Sequence, residues 1–574
     1  MSNWFSPSDI TRRIGSLIEI SATEAKINLT KAGTGEQVWL LGNRIPIGEV
    51  NEYVFIDCGQ DCILGRVIKV WLENGERLSV DSLDDSYANN NPIGLVQLLV
   101  SVDTETGFNR KGIRQYPKLG AQIYSAHPKL VSLLAEGKVN NDSDEIELPI
   151  AEITGDSSVT INLTPEKLFS RHCAILGSTG GGKSYTMANL INNIYQKGGK
   201  VLLLDATGEY ANLPCESYYV GEHPNATNKN KVTYPHWMFT DSDIRALLRP
   251  SAQSQAPKLN AAINSLKILE NVTLHKLKTD TNGNLIKSNQ KKEDFYQAEL
   301  SLNSIIQYHK KWKFKLLSRQ IIEECVRPDA KYGNDKTSWG DYLENDIGYC
   351  LSLISRIDDM SNNPNLNWML DCEDSLETIP KIIDDLCSSD NKMVRLDLSA
   401  VPFEANAREL LVNAIGRKLL SCAREGKISH EEPLLVFIDE AHQFLNKSIG
   451  DEISKMNLTA FGDIAKEGRK YGLNVTIATQ RPRDIPEDVL SQIGTLIVHR
   501  LTNEKDQDIV KKAVGSIDYR SASFLPVLGQ GEGLLLGVDF PFPMKVKIKT
   551  PDFKPESKSA SFSKSWKIKK QLSV

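Results

Sequence analysis

From about residue 171 onward, short uninterrupted apolar runs alternate with longer stretches whose apolar residues recur every three or four positions. The runs at 173–176, 201–205, 394–398, 434–439, 473–479 and 495–499 have the length of strands and read as continuously apolar. Such strands are buried on both faces, which predicts an α/β fold with a mostly parallel sheet covered by helices. The first 150 residues follow a different rule. Apolar runs at 14–20, 38–41, 53–56, 63–70 and 94–102 are broken by Gly, Asn and Asp, a spacing that predicts a small β-barrel or sandwich. Between about 240 and 392 the alternation stops. Helical patterns at 261–270, 296–315, 317–326 and 351–360 predict a helical insertion between the second and third core strands. The expected organisation is a barrel over 1–150, a first core part over 151–240, the insertion over 241–392, a second core part over 393–550 and a tail over 551–574. That tail is basic and Ser-rich, with Lys567, Lys569 and Lys570.

Composition narrows the class without naming a function. At 574 residues the chain is too long for one core, and its 40% hydrophobic and 25% charged residues suit a soluble globular protein. No apolar run reaches the roughly 18 residues of a membrane span, and the opening MSNWFS lacks the basic and apolar regions of a signal peptide. Nine cysteines are scattered, with Cys58 and Cys62 the only close pair and no matching Cys or His pair at metal-site spacing. Reduced thiols in a cytoplasmic protein are the expectation. A net charge of −5 does not favour nucleic acid, yet a motor that grips a duplex in a channel needs only local positive charge.

The chemistry concentrates in a few strings. Gly177-Ser178-Thr179-Gly180-Gly181-Gly182-Lys183-Ser184 fits the phosphate-loop pattern G-x-x-x-x-G-K-[ST], between an apolar strand and a helical pattern carrying Met187, Leu190, Ile191 and Ile194. Glycines let backbone N–H groups close around phosphate oxygens, Lys183 reaches the β/γ-phosphates of ATP, and the Ser184 hydroxyl suits Mg²⁺. Tyr185, next in line, is grouped with the nucleotide-binding residues. The run 434–440 ends in Asp439-Glu440, the Walker B position, where Asp439 would hold Mg²⁺ and Glu440 would polarise the attacking water. Asp205 and Glu209 follow another strand, at the edge where α/β sheets bind ligands; an ordinary strand-end turn explains them equally well. Gln480, after the run 473–479, is a candidate γ-phosphate sensor. Arg171, Arg469 and Arg500 flank these elements as candidate phosphate-contacting guanidiniums, and the sequence does not rank them.

In order and spacing these strings resemble the HerA family of hexameric DNA translocases, relatives of FtsK within the RecA-like motors. The resemblance rests on GSTGGGKS (177–184), DATGEY (205–210), VFIDEAH (436–442), KEGRKYGL (466–473), IATQRP (477–482), LTNEKDQDIV (501–510) and GEGLLLG (531–537), with Gly48-Glu49 and LGRV (64–67) in the barrel. It implies a RecA-like P-loop NTPase core, a homohexameric ring with ATP between subunits, and double-stranded DNA in the channel. Lys183, Ser184, Asp439 and Glu440 are then catalytic, and Gln480 is the sensor. Arg171 and Arg469 act on the phosphates, at least one of them across the subunit interface. It also implies an effector partner, either a nuclease or an enzyme such as a sirtuin-like NAD hydrolase in a defence operon, with the barrel as its docking site.

Candidate DNA contacts are the loop 446–458, with Lys447 and Lys455, and the turn 466–470. The run 308–315 mixes cations with aromatics as a nucleic-acid surface does, or as the solvated face of an amphipathic helix does. Two rivals stand beside the translocase. One is a peptide or conjugation-type motor; the other is a scaffold or signalling ATPase whose ring switches an effector without travelling along DNA.

Overall fold

The computed structural model describes residues 6–29, 38–40, 43–45, 47–72, 91–104, 109–110, 112–137, 145–154, 156–273, 276–306, 310–330, 335–390, 392–445, 448–449, 455–513 and 521–556. The chain forms two compact units. One comprises Met1–Lys197, Ala478–Arg483 and Leu490–Phe553; the other comprises Gly198–Ile477, Asp484–Val489 and Lys554–Val574.

The first unit opens with a closed barrel, as the punctuated pattern predicts. Its strands are Arg13–Ile20 (β1), Glu24–Asn28 (β2), Tyr53–Asp57 (β3), Asp61–Trp71 (β4), Ile93–Asp103 (β5) and Gln122–Ser125 (β6). All pairings are antiparallel, in the order β2-β1-β6-β3-β4-β5, and β2 pairs back onto β5 with Ile27 opposite Gly94. Closure removes the open sheet edges. Ile14, Leu17, Ile27, Val54, Ile56, Ile63, Val67 and Val96 fill the interior, each almost wholly buried.

The later strands, in chain order, are Leu148–Ile153 (β7), Asp156–Leu163 (β8), Cys173–Leu176 (β9), Lys200–Asp205 (β10), Glu216–Val220 (β11), Lys231–Thr233 (β12), Glu377–Thr378 (β13), Met393–Asp397 (β14), Leu434–Ile438 (β15), Leu473–Thr479 (β16), Thr495–Val498 (β17), Glu532–Gly537 (β18) and Met544–Ile548 (β19). In the first unit they run β8-β7-β19-β18-β17-β9. There β9 and β17 are parallel, and the four outer strands are antiparallel additions that the sequence pattern does not announce. In the second unit β16-β15-β10-β14-β11-β12-β13 are parallel throughout.

The region 241–392 is largely helical, with Asp241–Leu248, Gln255–Asn271, Lys292–Ser304, Leu317–Glu323, Glu344–Ser361 and Ile379–Ser388. It is not purely an addition, because β13 within it extends the parallel sheet. Ile268, Leu285, Phe295, Ala298 and Leu302 form a core of their own. Lys287 closes it: its ammonium lies 2.5 Å from Glu324 and 4.1 Å from the centre of the Phe295 ring. The helical pattern expected over 296–315 stops at Ser304.

Among the described residues no helix is long and apolar enough to cross a membrane. All nine cysteines are free. Burial pushes the thiols of Cys58, Cys62 and Cys173 up to about 12, so they stay protonated.

Candidate nucleotide-binding site

In the first unit, the fully buried strand β9 runs into the glycine-rich octapeptide, which opens onto the helix Lys183–Gln196 (α1). The loop's backbone is tied down on several sides. Gly177 N–H donates to Thr479 O (3.3 Å), Ser178 N–H to Arg500 O (2.9 Å) and Gly181 N–H to Ser178 O (3.0 Å). Gly531 N–H in turn donates to Gly181 O (3.2 Å). Two positions require glycine. Gly182 has φ 119°, and a Cβ there would come within 3.2 Å of Gly531 Cα. A Cβ on Gly177 would come within 2.6 Å of His499 Cβ. The left-handed backbone at Gly180 and Gly182 curves the loop as a phosphate cradle requires. Lys183 is buried beneath it, Ser184 is half-buried and Tyr185 is exposed. These residues fit a nucleoside triphosphate, with the first turn of α1 adding its N-terminal dipole.

Gln480 belongs to the same unit, and its Oε1 accepts a hydrogen bond from Thr179 Oγ1 at 2.6 Å. The residue after β16 is thereby joined to the loop itself. His499, just beyond β17, is wholly buried, with Nε2 2.7 Å from Thr186 Oγ1 and Nδ1 2.7 Å from Glu532 O. Burial, reinforced by the nearby Lys183 charge, pulls its pKa down to about 4, so the imidazole is neutral. Arg171 is half-exposed, its Nε 3.7 Å from Asp539, and its stem packs where a Cβ on Gly494 would sit. Arg500 is exposed, while its carbonyl holds Ser178.

In the second unit, Asp439 and Glu440 follow directly on β15. Asp439 N–H donates to Leu204 O (3.1 Å), and its Oδ2 accepts from Thr207 Oγ1 at 3.0 Å. Glu440 is a non-glycine residue in the left-handed region, φ 45° and ψ 45°. Such a conformation costs roughly 1–3 kcal/mol and gathers at functional sites. Its Oε2 lies 3.2 Å from His442 Nδ1, and Gln443 N–H donates to its carbonyl at 2.8 Å.

Asp205 is fully buried, and both of its oxygens are committed. Oδ1 accepts from Thr207 N (3.2 Å) and Gly208 N (2.7 Å); Oδ2 accepts from Tyr210 N (3.1 Å) and Arg395 Nε (2.8 Å). Arg395 Nη2 also reaches Asp205 at 2.7 Å and Asp397 at 2.6 Å. A salt-bridged core thus shapes the turn that delivers Thr207 to Asp439. Glu209 is half-buried in that turn, and its carbonyl accepts from Glu556 N–H at 2.7 Å. Sequence reading left Arg395 and Thr207 without a role. A signal was present, since Arg395 is a charged residue inside an apolar strand, on the same face as Asp397 two positions on.

Among the candidate DNA-contacting residues, Arg469 and Lys470 are exposed on the short turn Gly468–Tyr471. Lys466 pairs with Asp488 at 2.7 Å, and both line a cavity of about 490 Å³ together with Lys455 and Asp463. Lys447 lies outside the described residues, as do Tyr308, His309, Lys567, Lys569 and Lys570. The rest of the run 308–315 is not an amphipathic helix. Trp312 and Phe314 point into the core against His236, while Lys311, Lys313 and Lys315 pair outward with Asp374, Glu270 and Asp371. The alternation has period two, and those cations already have carboxylate partners.

Comparison with known proteins converges on one family. Residues 148–419 match the family model of the helicase HerA central domain, and residues 426–563 match the helicase HerA-like C-terminal domain. A DNA double-strand break repair helicase HerA from Sulfolobus acidocaldarius is 24% identical over 537 residues, covering 91% of this chain and 93% of that protein. Its counterpart from Pyrococcus furiosus is 27% identical over 524 residues, 85% of each. Among solved structures, VirB4 of Thermoanaerobacter pseudethanolicus aligns with a TM-score of 0.45 at 14% identity, covering 71% of this chain and 97% of that one. With a barrel, a P-loop core and a helical insertion in place, the chain belongs to the helicase HerA family of ATP-hydrolysing motor enzymes.

Proposed function

We propose that this chain is a cytoplasmic, ring-forming motor, a homohexamer, that uses ATP to translocate along or unwind double-stranded DNA. It works with an effector enzyme, a nuclease or one such as a sirtuin-like NAD hydrolase, in DNA end processing or anti-phage defence. The observation that carries the reading is the phosphate loop, glycine-curved and joined through Thr179 to Gln480 at 2.6 Å. The two relatives named as DNA double-strand break repair helicases support duplex DNA as the track.

In this reading the backbone N–H groups of 177–184 and the Lys183 ammonium bind the β/γ-phosphates. Ser184 and Asp439 are the candidate oxygen donors that would hold Mg²⁺, and the ion would supply neutralisation of phosphate charge. Glu440, held in its strained backbone conformation, takes the proton of the attacking water. Gln480 reports the γ-phosphate to the loop through Thr179. Arg171 and Arg469 supply guanidiniums to the phosphoryl oxygens, at least one from a neighbouring subunit. Asp205 and Glu209 shape the turn beside Asp439.

The test is ATP hydrolysis with and without duplex DNA at low salt. Stimulation by duplex that fades as salt rises is expected, because phosphate contacts are lost to counterions. Hydrolysis indifferent to DNA would favour the scaffold reading and sink this one.

A further inference from the structure

The inference concerns the buried histidine behind the phosphate loop. His499 N–H donates to Leu176 O at 2.7 Å, so its backbone is fixed to the residue just before the octapeptide. Its side chain fills the space under the loop, with its Cβ 2.6 Å from where a Gly177 Cβ would be and its Cε1 3.2 Å from where a Gly182 Cβ would be. Nδ1 faces Glu532 O at 2.7 Å. A carbonyl only accepts, so Nδ1 carries the ring proton in the neutral imidazole. Nε2 then presents a lone pair to Thr186 Oγ1, 2.7 Å away, and the hydroxyl gives its one hydrogen to this shorter contact rather than to Gly182 O at 3.2 Å. Thr186 sits in the first turn of α1, two residues beyond Ser184. Glu532 follows Gly531, whose N–H donates to Gly181 O. One side chain therefore touches the loop's glycines, the turn that carries Lys183 and Ser184, and the first residue of β18. An apolar side chain of the same size would fill the space and make neither hydrogen bond.

We propose that His499 is a positioning residue for the phosphate site: its neutral Nδ1–H tautomer links Glu532 to Thr186 and sets the first turn of α1 in register with the glycine loop. The inference rests on the ATP-site reading above. It predicts that the Thr186 link governs nucleotide affinity and that filling the volume alone does not.

The full-length protein tests this by binding of a fluorescent ATP analogue and by steady-state hydrolysis. The variants are His499→Gln, His499→Asn, His499→Leu and Thr186→Val, with Lys183→Ala as control. A glutamine amide reaches the Nε2 position and keeps the Thr186 link, whereas an asparagine amide reaches only the Nδ1 position. Thr186→Val and His499→Asn are expected to weaken ATP binding about tenfold, the worth of one buried hydrogen bond, with KM rising more than kcat falls. His499→Gln is expected to stay within about threefold of wild type. Melting without nucleotide should not separate the Gln from the Asn variant, as a purely structural role would. Wild-type affinity in Thr186→Val and His499→Leu overturns the proposal. Equal binding by wild type and Lys183→Ala is a different result, and it overturns the ATP-site reading itself.

Discussion

Replacing Arg395 with methionine probes the salt-bridged core that shapes the turn beside Asp439. The guanidinium lies 2.7 Å from Asp205 and 2.6 Å from Asp397, with all three side chains at most 2% exposed. Methionine keeps much of the volume and removes the guanidinium that bridges two buried carboxylates, the register pair Asp205 and Asp397. Breaking a buried pair by removing one partner costs about 3–5 kcal/mol. That cost speeds amide exchange through local opening of β10 and β14 by on the order of 10² to 10⁴-fold. Hydrogen exchange read by mass spectrometry on peptides spanning 200–205 and 393–397 measures it directly, without assuming that the chain unfolds in one step. The triple variant Arg395→Met/Asp205→Asn/Asp397→Asn leaves no uncompensated charge and should recover at least about tenfold of the protection. ATP hydrolysis should fall in the single variant as well, because Asp205 holds the turn that places Thr207 on Asp439. Exchange within about threefold of wild type in Arg395→Met would refute the reasoning.

Lys183→Ala is expected to abolish nucleotide binding, and retained tight binding in a filter assay would remove the phosphate-loop assignment. Glu440→Gln should bind ATP normally and hydrolyse it at least about 10²-fold more slowly, the scale of a lost general base. Wild-type turnover there would pass the role to another carboxylate. In the barrel, burial pushes the Glu52 carboxyl up to about 8, against 4.5 for the free group. The folded barrel therefore binds an extra proton, and this group's contribution to stability is greatest below about pH 4.5. It falls as pH rises and levels off above about 8, at up to roughly 1.4 kcal/mol per pH unit. Glu52→Gln should flatten that dependence, and barrel exchange rates compared at pH 5.5 and 8 in both proteins read it out. An identical pH slope in the two would show that Glu52 titrates normally.

Much of the fold is legible in the residues because its signals are local. The phosphate loop has fixed residues at fixed spacing, and β10, β15 and β16 are apolar runs of strand length. The barrel appears as short runs punctuated by Gly, Asn and Asp. What escaped reading depends on distant partners. Glu216–Val220 and Lys231–Thr233 are short, mixed segments that become strands only where β11 pairs with β14 and β12 with β11, and Glu377–Thr378 is two residues long. The helical period expected over 296–315 failed because Trp312 and Phe314 alternate with lysines, a period of two hidden next to a real helix. The candidates Lys183 and Asp439 stand out by their motifs. Thr207 and His499 carry no such signal, and Arg395 only that of a charge inside an apolar strand, because their roles lie in what they hold rather than in what they would touch.

The central claim is movement along duplex DNA, and triplex displacement tests it most directly. A fluorescent third strand is annealed at the end of a long duplex, and its release is followed after ATP is added. The account predicts ATP-dependent release by the wild-type chain, with a delay that grows with track length, and no release by Glu440→Gln. Vigorous DNA-stimulated hydrolysis with no strand release at any track length would contradict it.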